Sequence, residues 1–276
     1  MDFDKILNNI LDAAKCNKNV LPYIRDSFYP KYEFLRQIKG LENLIKKFNS
    51  QNVSVKILDN VVEFCLAYDI LKKNPNASIQ YEPEIYVENK KYTPDFRIEI
   101  GDELFYVQVK NNRKSVDYDN KAKSVEIEEN ENFQTNMVIV DDVPQIVRSL
   151  IKAAQFQPIE KCTYIIVQQI IFGTIDKIDV GNVLYGREII VSNDNLSSPQ
   201  LRRMRTNENS LETSGGFLFS KQGEIVSAYV LAITEDVFFG DRKYEIFKKD
   251  KNDCSEDKVG LLIDYDKVYD PTTYIL

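Results

Sequence analysis

Three polar side chains in the middle of the chain have the types and the spacing for phosphodiester chemistry. Asp95 lies in the sequence Thr-Pro-Asp-Phe, and Gln108 follows it thirteen residues later. Lys110 stands two residues after Gln108, with the apolar Val109 between them. Because side chains alternate between the two faces of a strand, a strand ending here places Gln108 and Lys110 on one face and Val109 in the core. If a neighbouring strand places Asp95 beside this face, a carboxylate, an amide oxygen and an ammonium lie together in one patch.

These groups suit Mg²⁺-assisted hydrolysis of a phosphodiester. Mg²⁺ prefers oxygen ligands and keeps several bound waters, so one or two protein groups suffice to hold it. We expect the Asp95 carboxylate, the Gln108 amide oxygen and the Val109 backbone carbonyl to be its ligands, with Mn²⁺ as a substitute. The ion lowers the pKa of a bound water and stabilises charge on the phosphate. We expect Lys110 to stabilise the pentacovalent phosphorane or to orient the attacking water.

The composition removes most other kinds of catalytic site. The 276 residues include no histidine, which excludes Ser-His-Asp catalysis, Cys-His catalysis and every metal site with a histidine ligand. The four cysteines, at positions 16, 65, 162 and 254, form no Cys-x-x-Cys pair, so a zinc ribbon and a thioredoxin-like site are also excluded. Catalysis must therefore use carboxylates, amides, lysine, tyrosine or a metal held by oxygen atoms.

Alternating apolar residues predict the strands that position this site. The alternation covers residues 79–88, 95–100 and 104–110. Gly101 and Asp102 predict a tight hairpin turn between the last two of these strands. Such a hairpin places Asp95 across from Gln108 near its open end.

The wider pattern predicts an α/β fold with a mixed sheet flanked by helices. Helices are predicted for residues 4–16, 32–48, 59 or 60 to 73, and 143–156, with a loop or turn bracketed by Pro22 and Pro30. Further predictions are a polar loop or arm over 111–136, a buried strand over 163–172, a hairpin over 217–232 and a strand over 259–265. We expect a helical N-terminal extension (1–50), a core (51–175) and a β-rich C-terminal appendage (176–276).

The residues around Asp95 and Lys110 resemble the PD-(D/E)xK nuclease superfamily, which includes many restriction enzymes, Holliday-junction resolvases and transposon-end endonucleases. The matching residues are Pro94-Asp95 and Gln108-Val109-Lys110, and the longer string over residues 81–110 is similar to transposase endonuclease subunits. The resemblance covers roughly residues 53–172. It implies a restriction-endonuclease-like core and Mg²⁺-dependent cleavage of DNA, in restriction, phage defence, recombination or transposition.

The resemblance also implies a role for Glu63 in the helix before the strands, because superfamily members often place a glutamate there that reaches the metal. A second interpretation of this residue is open. With Asn60 as the N-cap, Glu63 would occupy the N3 position of a capping box. Glu84 is a reserve ligand, and its alternative is an ordinary solvated strand residue.

Gln108 departs from the usual pattern of the superfamily, in which glutamate or aspartate occupies this position. Glutamine keeps a coordinating oxygen but removes one negative charge, which weakens the attraction for a cation. Active members with glutamine here are known, the transposase endonuclease subunits among them. The alternative function is a catalytically silent, nuclease-like subunit that binds DNA or protein. A third is an RNA nuclease or toxin with the same fold.

The chain as a whole is acidic, with a net charge of −7 at pH 7. That balance argues against a general nucleic-acid coat but allows an enzyme with a local basic groove. Two clusters are candidates for contacts with DNA phosphates: Arg113 with Lys114, and Arg202 and Arg203 with Arg205. The alternative for both clusters is a solvated basic loop.

The expected partner is DNA, and cleavage of both strands of a duplex favours a homodimer or a partner subunit. The N-terminal segment is acidic, unlike a secretory signal, and no apolar stretch approaches membrane-spanning length. We therefore expect a cytoplasmic protein that does not enter a membrane. Cys65 and Cys162 lie in apolar runs and suit a reducing compartment.

Overall fold

The computed structural model describes residues 3–14, 17–50, 56–87, 89–111, 143–154, 162–171, 177–191, 200–204, 216–221, 223–234, 242–249 and 255–271. The helices are α1 Phe3–Ala14, α2 Leu21–Leu35, α3 Glu42–Ser50, α4 Lys56–Lys73, α5 Val143–Ala153, α6 Lys177–Tyr185 and α7 Ser255–Leu262. The strands are β1 Ser78–Tyr81, β2 Ile85–Val87, β3 Lys90–Tyr92, β4 Phe96–Ile100, β5 Glu103–Asn111, β6 Thr163–Ile171, β7 Arg187–Val191, β8 Gln200–Met204, β9 Ala228–Thr234, β10 Arg242–Phe247 and β11 Lys267–Tyr269.

A mixed sheet of seven strands forms the centre of the described structure, in the order β1-β4-β5-β6-β9-β10-β11. The pairs β1–β4, β4–β5 and β9–β10 are antiparallel, whereas β5–β6, β6–β9 and β10–β11 are parallel. Strands β2 and β3 form a separate ribbon, and so do β7 and β8. The predicted α/β fold with a mixed sheet flanked by helices is therefore confirmed. Because β6 pairs with β9, the predicted boundary at residue 175 separates neighbouring strands of one sheet.

Alternation along β5 divides the apolar core into two layers. Phe105, Val107 and Val109 face the layer that contains helices α1–α4 and α7. Tyr106 faces the layer that contains α5 and α6. In the first layer, Phe64 of α4 stacks on Phe28 of α2 with ring centroids 4.9 Å apart. The N-terminal helices thus share one core with the helix that precedes the candidate site.

The N-terminal helices differ from the prediction at two places. Pro22 and Pro30 lie inside α2 rather than on either side of a loop. Pro22 occupies the first turn, where its missing N–H has no helical partner to lose, and a buried stripe that includes Phe28 outweighs the cost of Pro30. The predicted helix over 32–48 is interrupted, so that α2 ends at Leu35 and α3 begins at Glu42. Gly40 turns the chain between them with a φ of +95°.

The C-terminal predictions fail at two places. Residues 217–219 form a single 3₁₀ turn, and β9 pairs with β6 and β10, so the predicted hairpin over 217–232 is wrong. The predicted strand over 259–265 is also wrong, because α7 occupies most of it. The buried Val259, Leu262 and Ile263 are spaced by three and four residues, which is the spacing of one helix face.

Other predictions hold with changed bounds. The helices predicted over 4–16 and 143–156 correspond to α1 and α5, and the strand over 163–172 corresponds to β6. The strand over 79–88 is divided into β1 and β2, because Glu82 between them has a φ of +49°. The polar segment over 111–136 lies, after Asn111, outside the described residues. In the described ranges, no helix combines the length and the hydropathy needed to cross a bilayer.

Candidate active site

The β4–β5 hairpin places Asp95 beside Gln108. The antiparallel register pairs Phe96 with Val107, so Asp95, which precedes Phe96, meets the next residue of β5. The Oδ2 atom of Asp95 accepts a hydrogen bond from the Gln108 side-chain amide. The same atom accepts a second hydrogen bond, 2.5 Å long, from the backbone N–H of Val109. Two donors of one strand therefore hold the carboxylate against β5.

Lys110 shares a face of β5 with Gln108, because Val109 between them points into the apolar layer under α4. The Lys110 side chain is half-buried, and its ammonium interacts electrostatically with the carboxyl groups of Asp95 and Glu63. Burial lowers the pKa of Lys110, and the charge of Asp95 opposes that shift. Within the described residues, the Lys110 side chain forms no hydrogen bond or ion pair, so its ammonium has no fixed partner there.

Glu63 reaches the site from helix α4. Tyr81, the last residue of β1, donates a hydrogen bond of 2.6 Å from its hydroxyl to Oε2 of Glu63. The Tyr81 side chain is buried and Glu63 is half-buried, so this contact is largely shielded from water. Glu63 also interacts electrostatically with Asp95. Helix α4 and the hairpin thus bring two carboxyl groups to one place.

Burial and nearby negative charge, which includes Glu82 for both groups, oppose the ionisation of these two carboxyl groups. Burial first, and the charge of Asp95 second, raise the pKa of Glu63 to about 8. Burial raises the pKa of Asp95 to about 6, although Lys110 and the N–H of Val109 act to lower it. A cation held between two such groups reduces both the desolvation penalty and the repulsion. The electrostatics of the site therefore favour a bound cation.

The donor set fits a hard divalent cation. Carboxylates of Glu63 and Asp95, the amide of Gln108 and the carbonyl of Val109 are all oxygen donors, as Mg²⁺ prefers. Gln108 turns its amide nitrogen towards Asp95, and rotation of the amide exchanges the nitrogen and the oxygen. In the part of the chain that the structure describes, no group of three or more Cys, Asp or Glu side chains could hold a metal. The amide and the backbone carbonyl are further oxygen donors beside the two carboxylates, and bound waters would complete the coordination that Mg²⁺ prefers.

The capping-box interpretation of Glu63 is wrong. Helix α4 already includes Lys56, so Asn60 lies in its second turn and not at its N-cap. Glu63 is therefore an interior residue of the helix, and its carboxylate is directed at Tyr81. The reserve ligand Glu84 is exposed and forms an ion pair of 2.5 Å with Lys91 of β3. Glu84 takes its contacts from the β2–β3 ribbon and not from the carboxyl pair.

Of the five predicted DNA-contacting residues, only Arg202 and Arg203 lie in the described part of the chain. Arg202 and Arg203 lie in β8, which pairs with β7 in a ribbon of its own. Arg113, Lys114 and Arg205 lie outside the described residues. Their contacts with DNA stay a prediction.

The structure adds residues that the sequence analysis did not single out. Lys47 of α3 donates a hydrogen bond of 3.3 Å to the Tyr81 hydroxyl and forms an ion pair with Glu82. Lys152 of α5 adds to the lowering of the Lys110 pKa that burial begins. Tyr81 and Glu82 belong to the Tyr-Glu-Pro string of the resemblance, which is the signal that could have found them. Lys47 lies on the polar side of an amphipathic helix and has no such signal.

Comparison with known proteins gives no information on the chemistry of this site. The chain matches no protein-family model, no curated protein and no solved structure. The resemblance to nucleases therefore stays a prediction.

Proposed function

We propose that this protein is a Mg²⁺-dependent endonuclease of the PD-(D/E)xK type that hydrolyses phosphodiester bonds of DNA in the cytoplasm. One observation carries the proposal: Asp95, Gln108 and Lys110 of a single hairpin lie together at one site. Helix α4 adds a second carboxyl group to it through Glu63. Cys65 and Cys162 form no disulfide within the described residues, which agrees with a reducing compartment.

The carboxyl pair and its neighbours would hold the ion. Glu63, Asp95, Gln108 and the carbonyl of Val109 are the donors, and Mg²⁺ bound there supplies a water of lowered pKa and positive charge for the phosphate. Asp95 is already fixed by two hydrogen bonds from β5, so it needs little reorganisation to act as a ligand. The hairpin thus supplies a pre-organised anchor for a metal and a phosphate.

Lys110 is the residue that would stabilise the reacting phosphate. Its ammonium lies on the same face as Gln108, and partial burial strengthens its attraction for an anion. Asp95 opposes the effect of burial on the Lys110 pKa and so favours the charged form. A half-buried cation with no fixed protein partner in the described residues is suited to the negative charge that develops during hydrolysis.

A nicking assay tests this proposal. Supercoiled plasmid is incubated with the full chain and Mg²⁺ or Mn²⁺, and Lys110→Ala is compared with Lys258→Ala. Lys258 is a half-buried lysine that pairs with Glu103 at 2.6 Å, at the opposite end of β5. We expect nicking by the parent and by Lys258→Ala, and none by Lys110→Ala. Equal nicking by all three proteins would reject the assignment of the site.

The alternative is a catalytically silent subunit that binds DNA or protein. The neutral Gln108 and the net charge of −7 favour it. Inactivity at millimolar Mn²⁺, with binding to DNA or to a partner protein retained, would support this alternative. Cleavage of single-stranded or duplex RNA in preference to DNA would instead indicate an RNA nuclease. Double-strand cleavage by the active enzyme would call for a homodimer or a partner subunit.

A further inference from the structure

A chain of side-chain contacts connects the N-terminal helices to the candidate metal ligand Glu63. The ammonium of Lys47 donates to the Tyr81 hydroxyl at 3.3 Å, and that hydroxyl donates to Oε2 of Glu63 at 2.6 Å. The Lys47 ammonium also lies 5.0 Å from the centroid of the Tyr81 ring. Three residues from α3, β1 and α4 are therefore linked in series.

The chemistry of the three groups determines which one donates in each hydrogen bond. A phenol has one hydrogen to donate, and an ammonium can only donate. Because Lys47 donates to the Tyr81 oxygen, the single Tyr81 hydrogen is directed to Glu63. The hydroxyl thereby fixes one oxygen of the Glu63 carboxylate and leaves the other for a further ligand.

The backbone on both sides of Tyr81 is held as well. The N–H of Tyr81 donates to the carbonyl of Gly40 at 2.9 Å, in the turn between α2 and α3. The next residue, Glu82, has a φ of +49°, which is uncommon for a residue with a side chain. Its N–H donates to the carbonyl of Asp95 at 2.8 Å, and its carboxylate pairs with Lys47. The same few residues thus tie Tyr81 to the N-terminal helices and to the Asp95 main chain.

We propose that Tyr81 is a positioning residue, which together with Lys47 orients the Glu63 carboxylate for a divalent cation. This inference rests on the proposed function, because it assigns Glu63 to the metal site. It makes the helical segment over residues 1–50 part of the catalytic unit, since α3 supplies Lys47 and the α2–α3 turn supplies the acceptor at Gly40. Residues that orient a ligand by hydrogen bonding typically change metal affinity by about 10–100-fold.

The test measures Mn²⁺ affinity, by electron paramagnetic resonance of free Mn²⁺, in the full chain without DNA. Tyr81→Phe removes the hydroxyl and keeps the buried ring. The matched control is Tyr244→Phe, because Tyr244 donates a hydrogen bond of the same length, 2.6 Å, to Asp69 on the same helix. We expect Tyr81→Phe to weaken Mn²⁺ binding about 10-fold or more, and Tyr244→Phe to leave it within twofold.

Variants of Lys47 provide a second part of the experiment that does not disturb the apolar core. We expect Lys47→Met to weaken Mn²⁺ binding and Lys47→Arg to restore most of it. The double variant Lys47→Met/Tyr81→Phe should lose less affinity than the product of the two single losses, because Lys47 acts on Glu63 partly through Tyr81 and partly through its own charge. Parental affinity in both single variants, or an equal loss in Tyr244→Phe, would overturn the inference while the metal site stands. A parent that binds no Mn²⁺ would overturn the proposed function and this inference together.

Discussion

The backbone N–H of Val109 donates a hydrogen bond of 2.5 Å to the Asp95 carboxylate. This donor belongs to the main chain of β5, so it is present whatever side chain occupies position 108. Asp95 therefore keeps one of its two anchors when Gln108 is replaced. The effect of an acidic residue at position 108 can therefore be tested without releasing Asp95 from the strand.

Gln108→Glu should increase the affinity for metal and lower the stability of the metal-free protein. The substitution adds a third carboxylate beside Glu63 and Asp95, whose pKa values are already raised in part by like charges. We expect Mn²⁺ affinity to rise about tenfold or more, and the free energy of unfolding in EDTA to fall by about 1–2 kcal/mol. Calorimetric titration and urea denaturation measure the two quantities. Unchanged Mn²⁺ affinity would mean that position 108 does not face the ion.

Lys110→Met should abolish nicking and leave the fold intact. The ammonium is half-buried and desolvation lowers its pKa, so its removal relieves a cost of folding. We expect the nicking rate to fall about 100-fold or more, with a free energy of unfolding equal to or above that of the parent. The control Lys258→Met should lose its ion pair with Glu103 and keep its nicking rate. A loss of stability that parallels the loss of rate would point to a structural lysine instead.

The parts of the site that the sequence predicts are those set by local geometry. The turn at residues 101–102 and strand alternation are enough to place Asp95 beside Gln108, because both depend on near neighbours. Only the resemblance predicts a role for Glu63, since the approach of this residue to the site depends on how α4 packs on the sheet. The contact of Lys47 with Tyr81 joins residues 34 apart, and no periodicity encodes it.

The errors in the fold have a similar origin. Val259, Leu262 and Ile263 follow a helical spacing, yet a short apolar run fits either element type until its neighbours are known. Pro30 is an unfavourable helix residue by its chemistry, and only the burial of Phe28 and its neighbours keeps it in α2. Local signals were overridden at these positions by packing against distant parts of the chain.

Gly40→Ala should destabilise the protein far more than Gly101→Ala. Both glycines have positive φ values, +95° and +58°, so both substitutions carry a backbone cost of about 1–2 kcal/mol. A Cβ at Gly40 would lie 2.0 Å from the carbonyl oxygen of Ile79, whereas a Cβ at Gly101 would meet nothing within 4 Å. We expect Gly40→Ala to lose at least a further 2 kcal/mol or so in urea denaturation. Equal losses would show that the α2–α3 turn is not pressed against β1.

The stability of the metal-free protein should fall as the pH rises from about 5 to about 8. The pKa of Glu63 is raised from its ordinary value of 4.5 to about 8, so the folded state holds this proton more tightly than the unfolded state. Its stabilising effect is complete below pH 4.5 and is lost as the pH passes 8. The raised pKa of Asp95, about 6, adds to the loss over the lower part of this range. The total change is on the order of a few kcal/mol, since one pKa unit corresponds to about 1.4 kcal/mol.

Urea denaturation in EDTA at pH 5, 6.5 and 8 measures this loss, and Glu63→Gln should remove most of it, because glutamine does not titrate. Added Mg²⁺ should restore stability mainly at pH 8, because the ion binds the ionised carboxylates and competes with protons for them. Restoration of equal size at pH 5 would mean that the ion binds elsewhere. A flat pH profile in EDTA would mean that Glu63 and Asp95 are ionised without a cation, and the case for a metal between them would lose its electrostatic basis.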